Sequence, residues 1–331
     1  MLKLVIIQFS LLDLKRKIYK MKKILSLSLM SALLLGMYSC SKVNPKSNGS
    51  NHLGVTNPTG GTVNPAPVNP LGEIPTEFTR KAVIEEATAV WCGYCPNGAY
   101  YLNMACDNNP DKVYGVAYHQ TDVFSGMYDA YTTQANTELS AEFNISGIPG
   151  GVVDRISTSN NYNSWGSLAS SEIKKTATCG LAIMTTKVDA SYEIEVHAAF
   201  NTNLSGDYRL VVYVLEDEVH KGAAYDQHNY MDGDAGSPWQ GKGDPMPASN
   251  FKHSHVFRQS LVKGMWGDPI DATKLKAGGE YVQKFMLDPS SEWDLSKTTI
   301  LAMIVNKGTS VDKHMVENAQ ECELGKTKKW D

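Results

Sequence analysis

The chain has 331 residues, with 31 basic and 35 acidic side chains and a formal net charge of −4. That length has room for two domains plus flanking segments, and the acidic balance argues against nucleic acid or anionic lipid as the main partner.

The N-terminus reads as a targeting segment, residues 1–39, with Met21 as the expected start. Met21-Lys22-Lys23 opens a short basic stretch, and the run from Ile24 to Met37 is apolar apart from its serines. It is too short for a usual transmembrane helix and has signal-peptide proportions; a plain membrane anchor is the other reading. Its removal takes away seven basic residues and one acidic residue, which leaves a net charge of −10. The stretch Gly36-Met37-Tyr38-Ser39-Cys40 resembles the relaxed lipobox of Bacteroidetes. The resemblance implies that Cys40 becomes an acylated N-terminus, and several acyl chains on one residue hold a membrane where one alone binds marginally. Ser41 stands where Asp often marks inner-membrane retention, so the outer membrane is the expected address. The lack of an acidic run after Cys40 points to its periplasmic face. Residues 40–75 then form the lipidated cysteine and a tether. Gly60-Gly61-Thr62-Val63-Asn64-Pro65-Ala66-Pro67 and its surroundings hold too little apolar surface to build a core.

Residues 76–178 alternate strand and helix patterns. Strands are expected at Ala82 to Thr88, Lys112 to Tyr118 and Gly151 to Asp154. Helices are expected at Pro96 to Asn108, Asp129 to Phe143 and Trp165 to Lys175. This order implies a mostly parallel sheet covered on both faces. Between the first strand and first helix lies Trp91-Cys92-Gly93-Tyr94-Cys95-Pro96. A Cys-x-x-Cys pair opening a helix after a strand reads as a thiol–disulfide couple. Unpaired N–H groups and the positive end of the helix dipole stabilise a thiolate there. Cys92 is the expected nucleophile and Cys95, one turn deeper, the resolving thiol. A structural disulfide is the alternative. Zinc would need a second Cys/His pair at ligand spacing, and none is seen, so neither a metal nor a cofactor is implied.

Residues 179–331 read as about seven short strands, near 181–188, 193–201, 207–216, 256–263, 281–287, 298–306 and 315–324. Leu210, Val212 and Val214 share one face by period-two spacing. The pattern fits an antiparallel sandwich of immunoglobulin-like character with its own core. A long segment, Val219 to His255, interrupts it, and loops of that length are usually functional or disordered.

The first domain resembles the thioredoxin fold on three features in order: the strand–Trp91-Cys92-Gly93-Tyr94-Cys95–helix unit, Gly147-Ile148-Pro149 before a strand, and Glu86 six residues before Cys92. The resemblance implies a cis proline at Pro149 beside the cysteines, next to an open edge for an extended substrate backbone. It also implies a buried carboxylate at Glu86 that accepts the proton of the resolving thiol. Read without it, Pro149 is an ordinary turn proline and Glu86 a solvated strand residue. With the lipobox, the tether, Ala117-Tyr118-His119, Val153-Asp154-Arg155 and His255-Val256-Phe257-Arg258, the chain resembles the Omp28-related outer-membrane lipoproteins of Bacteroidetes over about residues 76–325. The expected fold is an α/β thioredoxin-like domain followed by an all-β immunoglobulin-like sandwich.

The expected function is a membrane-anchored extracytoplasmic thiol–disulfide oxidoreductase. Its partners are protein thiols and disulfides, an electron donor of unspecified identity, and the membrane through lipid. The alternative is a binding or adhesion lipoprotein with a structural disulfide. Among weaker features, His253-Ser254-His255 puts two imidazoles at metal-ligand spacing on a strand, although exposed histidines are the commoner case. Asp232-Gly233-Asp234 begins like a calcium loop but lacks the later acidic ligands. His119 is placed to act on a thiol pKa or to be a satisfied histidine. Tyr225, Tyr230 and Trp239 face a partner or cover a sheet edge. Cys106, Cys179 and Cys322 are an odd remainder. Cys179 and Cys322 are positioned to staple the ends of the C-terminal region.

Overall fold

The computed structural model describes residues 69–122, 125–308 and 314–331; the signal segment, Cys40 and the tether up to residue 68 lie outside them. The elements run β1 (Ala82–Thr88), α1 (Cys95–Asp107), β2 (Val113–His119), α2 (Gln134–Glu142), β3 (Gly150–Val153), β4 (Ser157–Ser159), α3 (Trp165–Glu172), β5 (Cys179–Val188), β6 (Ser191–Phe200) and β7 (Tyr208–Glu216). After a long segment follow β8 (Val256–Ser260), β9 (Asp268–Pro269), β10 (Glu280–Leu287), β11 (Thr298–Asn306), β12 (Met315–Glu323) and β13 (Thr327–Lys328). The structure is mostly β, as the patterning of its second half implies. Polar β4 carries no apolar alternation and was not legible in the sequence.

Nine strands form one mixed sheet in the order β12-β11-β7-β8-β2-β1-β3-β4, with β9 on β7. The expected mostly parallel sheet is corrected: β1 pairs parallel with β2 and β2 with β8, but β3 runs antiparallel to β1 and β4 antiparallel to β3. The chain enters β3 from the opposite end, which an alternation of elements does not reveal. A second sheet, β10-β6-β5-β13, is antiparallel. It packs on β7, β11 and β12 through Leu181, Ile183, Ile194, Val196, Leu210, Val212 and Ile300.

The nine-stranded sheet is continuous across residues 178 and 179, where the sequence pattern changes. The large sheet runs through that boundary: β8 pairs with β2 at Ala117 and Val256, and the Ala117 N–H donates to the His255 carbonyl at 2.7 Å. The cause lies in β7 and β11. Leu210, Val212 and Val214 face the sandwich, while Val211, Tyr213 and Leu215 face a second core shared with Tyr118, Leu139 and Val152. A strand apolar on both faces must be covered on both, and the covering on the second face comes from α2 and its neighbours. Within that core Arg155 makes a bidentate pair with Glu85, Nε to Oε2 at 2.7 Å and Nη2 to Oε1 at 2.9 Å. Arg155 also donates to the Tyr213 hydroxyl, and Tyr118 donates to Glu85. One buried polar group therefore ties β1, β2 and β7 together.

Candidate functional site

Period-two alternation gives the two adjacent acids of β1 different fates. Val83, Glu85 and Ala87 face the α2 side, where Glu85 meets Arg155; Ala82, Ile84 and Glu86 face α1 and α3. Glu86 is 1% exposed and neither carboxylate oxygen has a hydrogen-bond partner. Burial alone pushes its pKa well above the usual carboxylate range. The closeness of α1 depends on Gly98: an added Cβ there would stand 2.1 Å from Glu86 Oε1 and 2.7 Å from Pro149 Cβ. Gly98 thus brings the helix, Glu86 and Pro149 into contact, and this role was not read from the sequence.

Cys92 and Cys95 form a disulfide. Cys95 is the first residue of α1 and Pro96 follows at the start of the helix, where its missing N–H costs nothing. Tyr94 is the N-cap residue and supplies no side-chain cap, so the positive end of the helix dipole lies at the cysteines, with the Cys95 N–H donating to Cys92 O at 3.1 Å. The Ile148–Pro149 peptide is cis, and Ile148 packs with Trp91 against the two cysteines. The structure brings Cys92, Cys95, Pro149 and Glu86 into one neighbourhood. Cys40 lies outside the described residues.

The other half of the site comes from the segment between β7 and β8. Its backbone runs along the Cys-x-x-Cys loop, with the His228 N–H donating to Val90 O at 2.8 Å and the Tyr230 N–H to Gly93 O at 2.9 Å. The Tyr230 ring lies on Gly93, where an added Cβ would be 2.2 Å from its Cγ. Tyr230 also meets Tyr94 edge-on at 5.5 Å. The sequence marked Tyr230 for a partner or a sheet edge; the structure sets it against the Cys-x-x-Cys loop. It also gives Gly93 a packing reason.

Behind the disulfide is a cavity of about 10 Å³, lined by Glu86, Thr88, Cys95, His119, Gln227 and His253 among others. That is room for one water molecule. His119 Nδ1 is 2.9 Å from Asp129 Oδ2. Burial opposes ionisation of Asp129, but His119 and the Val90 and Tyr131 N–H groups hold its pKa below the ordinary value. His253 Nε2 is 3.0 Å from the Tyr225 carbonyl, which fixes the proton on Nε2. Burial, then the neighbouring His119, lowers the His253 pKa to about 3, so the ring is neutral at physiological pH. His255 lies elsewhere, packed over Gly115. Among the described residues no group of three or more His, Cys, Asp or Glu is arranged to hold a metal. Asp232 accepts from the Gly243 N–H and closes a turn within the long segment.

Cys106, Cys179 and Cys322 are free thiols, which corrects the expected staple between Cys179 and Cys322. Both are buried in the sandwich core, and burial raises their pKa values to about 12 and about 11. They are inert in the sense that the thiolate is the reactive form.

Fold and site define a class: a β-rich protein of two packed sheets with a Cys-x-x-Cys disulfide at a helix N-terminus. The chain belongs to the outer membrane protein Omp28 family, whose model matches residues 136–328, more than half of its length and beginning beyond the cysteine pair. No curated protein sequence matches it. Its fold is similar to that of HBP35 of Porphyromonas gingivalis, with a TM-score of 0.59 and 20% identity over 76% of this chain and 77% of that one. An Agrobacterium tumefaciens protein aligns with a TM-score of 0.47 and 14% identity over 75% of this chain and 95% of that one. Among the described residues no helix is long and apolar enough to cross a membrane.

Proposed function

We propose that this protein is a lipid-anchored, extracytoplasmic thiol–disulfide oxidoreductase of the outer membrane whose first part is a thioredoxin-like domain. The observation that carries the reading is the Cys92–Cys95 disulfide at the start of α1, with Cys95 sharing a one-water cavity with an unpartnered, buried Glu86. A carboxyl whose pKa is raised by burial suits proton exchange with a thiol. In the reduced protein Cys92 attacks a substrate disulfide as thiolate. One substrate sulfur leaves with the bond electrons and takes a proton, and Cys95 then displaces the second sulfur and closes the Cys92–Cys95 bond. Glu86 receives the proton of Cys95, and Pro149 shapes the edge where an extended substrate lies. The partners are protein thiols and disulfides together with a separate electron donor. Cys40 is the membrane attachment, on the periplasmic face.

A second reading, a binding or adhesion lipoprotein with a structural disulfide, is favoured by one observation. Cys92 is only 7% exposed and its loop is covered by the Gln227–Tyr230 stretch. Trapping separates the two. Cys95→Ser retains the attacking thiol without the resolving one, so mixed disulfides with partner proteins should accumulate, while Cys92→Ser should abolish insulin-disulfide reduction. No exchange by the wild type together with no capture by Cys95→Ser leaves the structural reading standing.

A further inference from the structure

Gln227 sits 135 residues beyond Cys92 in sequence, yet its side-chain amide lies inside the redox loop. It is 1% exposed. Its Nε2 donates to the carbonyls of Cys92 at 2.9 Å, Val90 at 3.0 Å and Ala89 at 3.2 Å, and to that of His228 at 3.1 Å. Two N–H groups are thus shared among four carbonyl oxygens. An apolar side chain of similar size would fill the space but withdraw these donors: the Ala89, Val90 and Cys92 oxygens would each keep one backbone N–H, from Cys92, His228 and Cys95, and lose the second that a carbonyl can accept. What the amide supplies is the positive end of a dipole, set against carbonyls that otherwise turn their negative ends towards one point beside Cys92.

That point matters when the disulfide opens. In reduction by a protein dithiol, a thiolate of the donor bonds to Cys92 Sγ and the Cys92–Cys95 bond breaks, its electron pair leaving on Cys95, which takes a proton. The second donor thiol, as thiolate, then bonds to the first donor sulfur. Cys92 leaves with the electron pair as thiolate, and the donor departs as its disulfide. Two electrons move from donor to protein, and of the two donor protons one stays on Cys95 and one is released. Negative charge therefore appears on Cys92, whose own carbonyl is capped by Gln227. Capping that carbonyl reduces its repulsion of the thiolate, as hydrogen bonding to surrounding groups stabilises a charged form.

We propose that Gln227 is a positioning residue for the Cys92–Cys95 couple, contributed by the segment between β7 and β8, which holds the Ala89, Val90 and Cys92 carbonyls and stabilises the Cys92 thiolate. This rests on the redox reading above. The same segment caps Val90 and Gly93 with backbone N–H groups, so it acts on the whole turn and Gln227 on its charge.

The test is equilibrium titration of the full chain against glutathione, paired with the pH profile of Cys92 alkylation, in wild type, Gln227→Met and Gln227→Asn. Gln227→Met should shift the equilibrium towards the disulfide by about tenfold, equivalent to about 30 mV for a two-electron couple, and move half-maximal alkylation to higher pH. Gln227→Asn, which keeps an amide, should shift both in the same direction by less. A folded Gln227→Met with unchanged equilibrium and alkylation profile overturns the proposal, even if its melting temperature falls, because a merely structural role moves only the latter. If Gln227→Met does not fold, Gln227→Asn decides on the same two readouts. A wild type that exchanges with glutathione at no potential removes the redox reading and this proposal together, and shows it before any variant is compared.

Discussion

Glu86 makes the stability of the oxidised protein depend on pH in a way that one substitution should remove. Its carboxyl is fully buried without a hydrogen-bond partner, and desolvation raises its pKa well above the ordinary 4.5. The folded chain therefore holds this proton to a higher pH than the unfolded chain does. Above about pH 4.5 the folded state binds more protons than the unfolded one, so stability falls as pH rises, and the fall ends once the folded carboxyl ionises. One full proton of difference is worth about 1.4 kcal/mol per pH unit. Near the lower edge of the window the unfolded carboxyl is still partly protonated, so the loss from this residue between pH 5 and 6 is about 1 kcal/mol. Glu86→Gln keeps the shape of the protonated acid and cannot ionise. Denaturant unfolding of wild type and Glu86→Gln at pH 5, 6 and 7 should show the variant gaining on the wild type by that amount over the first unit and continuing to gain above it. Comparing the two proteins cancels other buried acids such as Asp154 and Glu321, whose pKa values burial also raises, each to about 7. Parallel stability–pH curves would refute the reasoning, because they would mean that Glu86 is solvated or paired.

Other perturbations have equally defined outcomes. Arg155→Met leaves Glu85 without its cationic partner in the core beneath Tyr118 and Tyr213, and loss of one partner of a buried pair should cost about 3–5 kcal/mol in denaturant unfolding; a loss under about 1 kcal/mol would mean the pair is screened. Gly93→Ala places a methyl group against the Tyr230 ring and should cost about 1–3 kcal/mol by overpacking. Tyr230→Ala should relieve much of that cost in the double variant, giving a coupling energy that two independent sites would not show. Cys40→Ala should release the protein from the membrane fraction, and full retention without acyl mass on the N-terminus would count against the lipid anchor.

Much of the secondary structure was readable from local pattern. The run Ala82 to Thr88, the helix opened by Cys95-Pro96, and the strands at 208–216, 298–306 and 315–323 lie within a residue or two of their expected bounds. Alternation, turn residues and a proline at a helix start are short-range signals that every strand or helix carries in itself. The cysteine pair was equally local, since two cysteines one turn apart at a helix N-terminus need no distant residue to be recognised.

Tertiary structure decided what those elements do to one another. Leu210, Val212 and Val214 pointed to one buried face, but only the packing shows that Val211, Tyr213 and Leu215 are buried as well, and that second face joins two expected domains into one sheet. Glu85 and Glu86 are adjacent and chemically alike in sequence; one finds Arg155, 70 residues away, and the other finds nothing. Gln227 had no signal beyond its place in an unusually long segment, because a glutamine reveals its role only through the carbonyls that surround it. Periodicity is written into consecutive residues, whereas partners of a buried polar group are set by which chain segments the fold brings within hydrogen-bond reach.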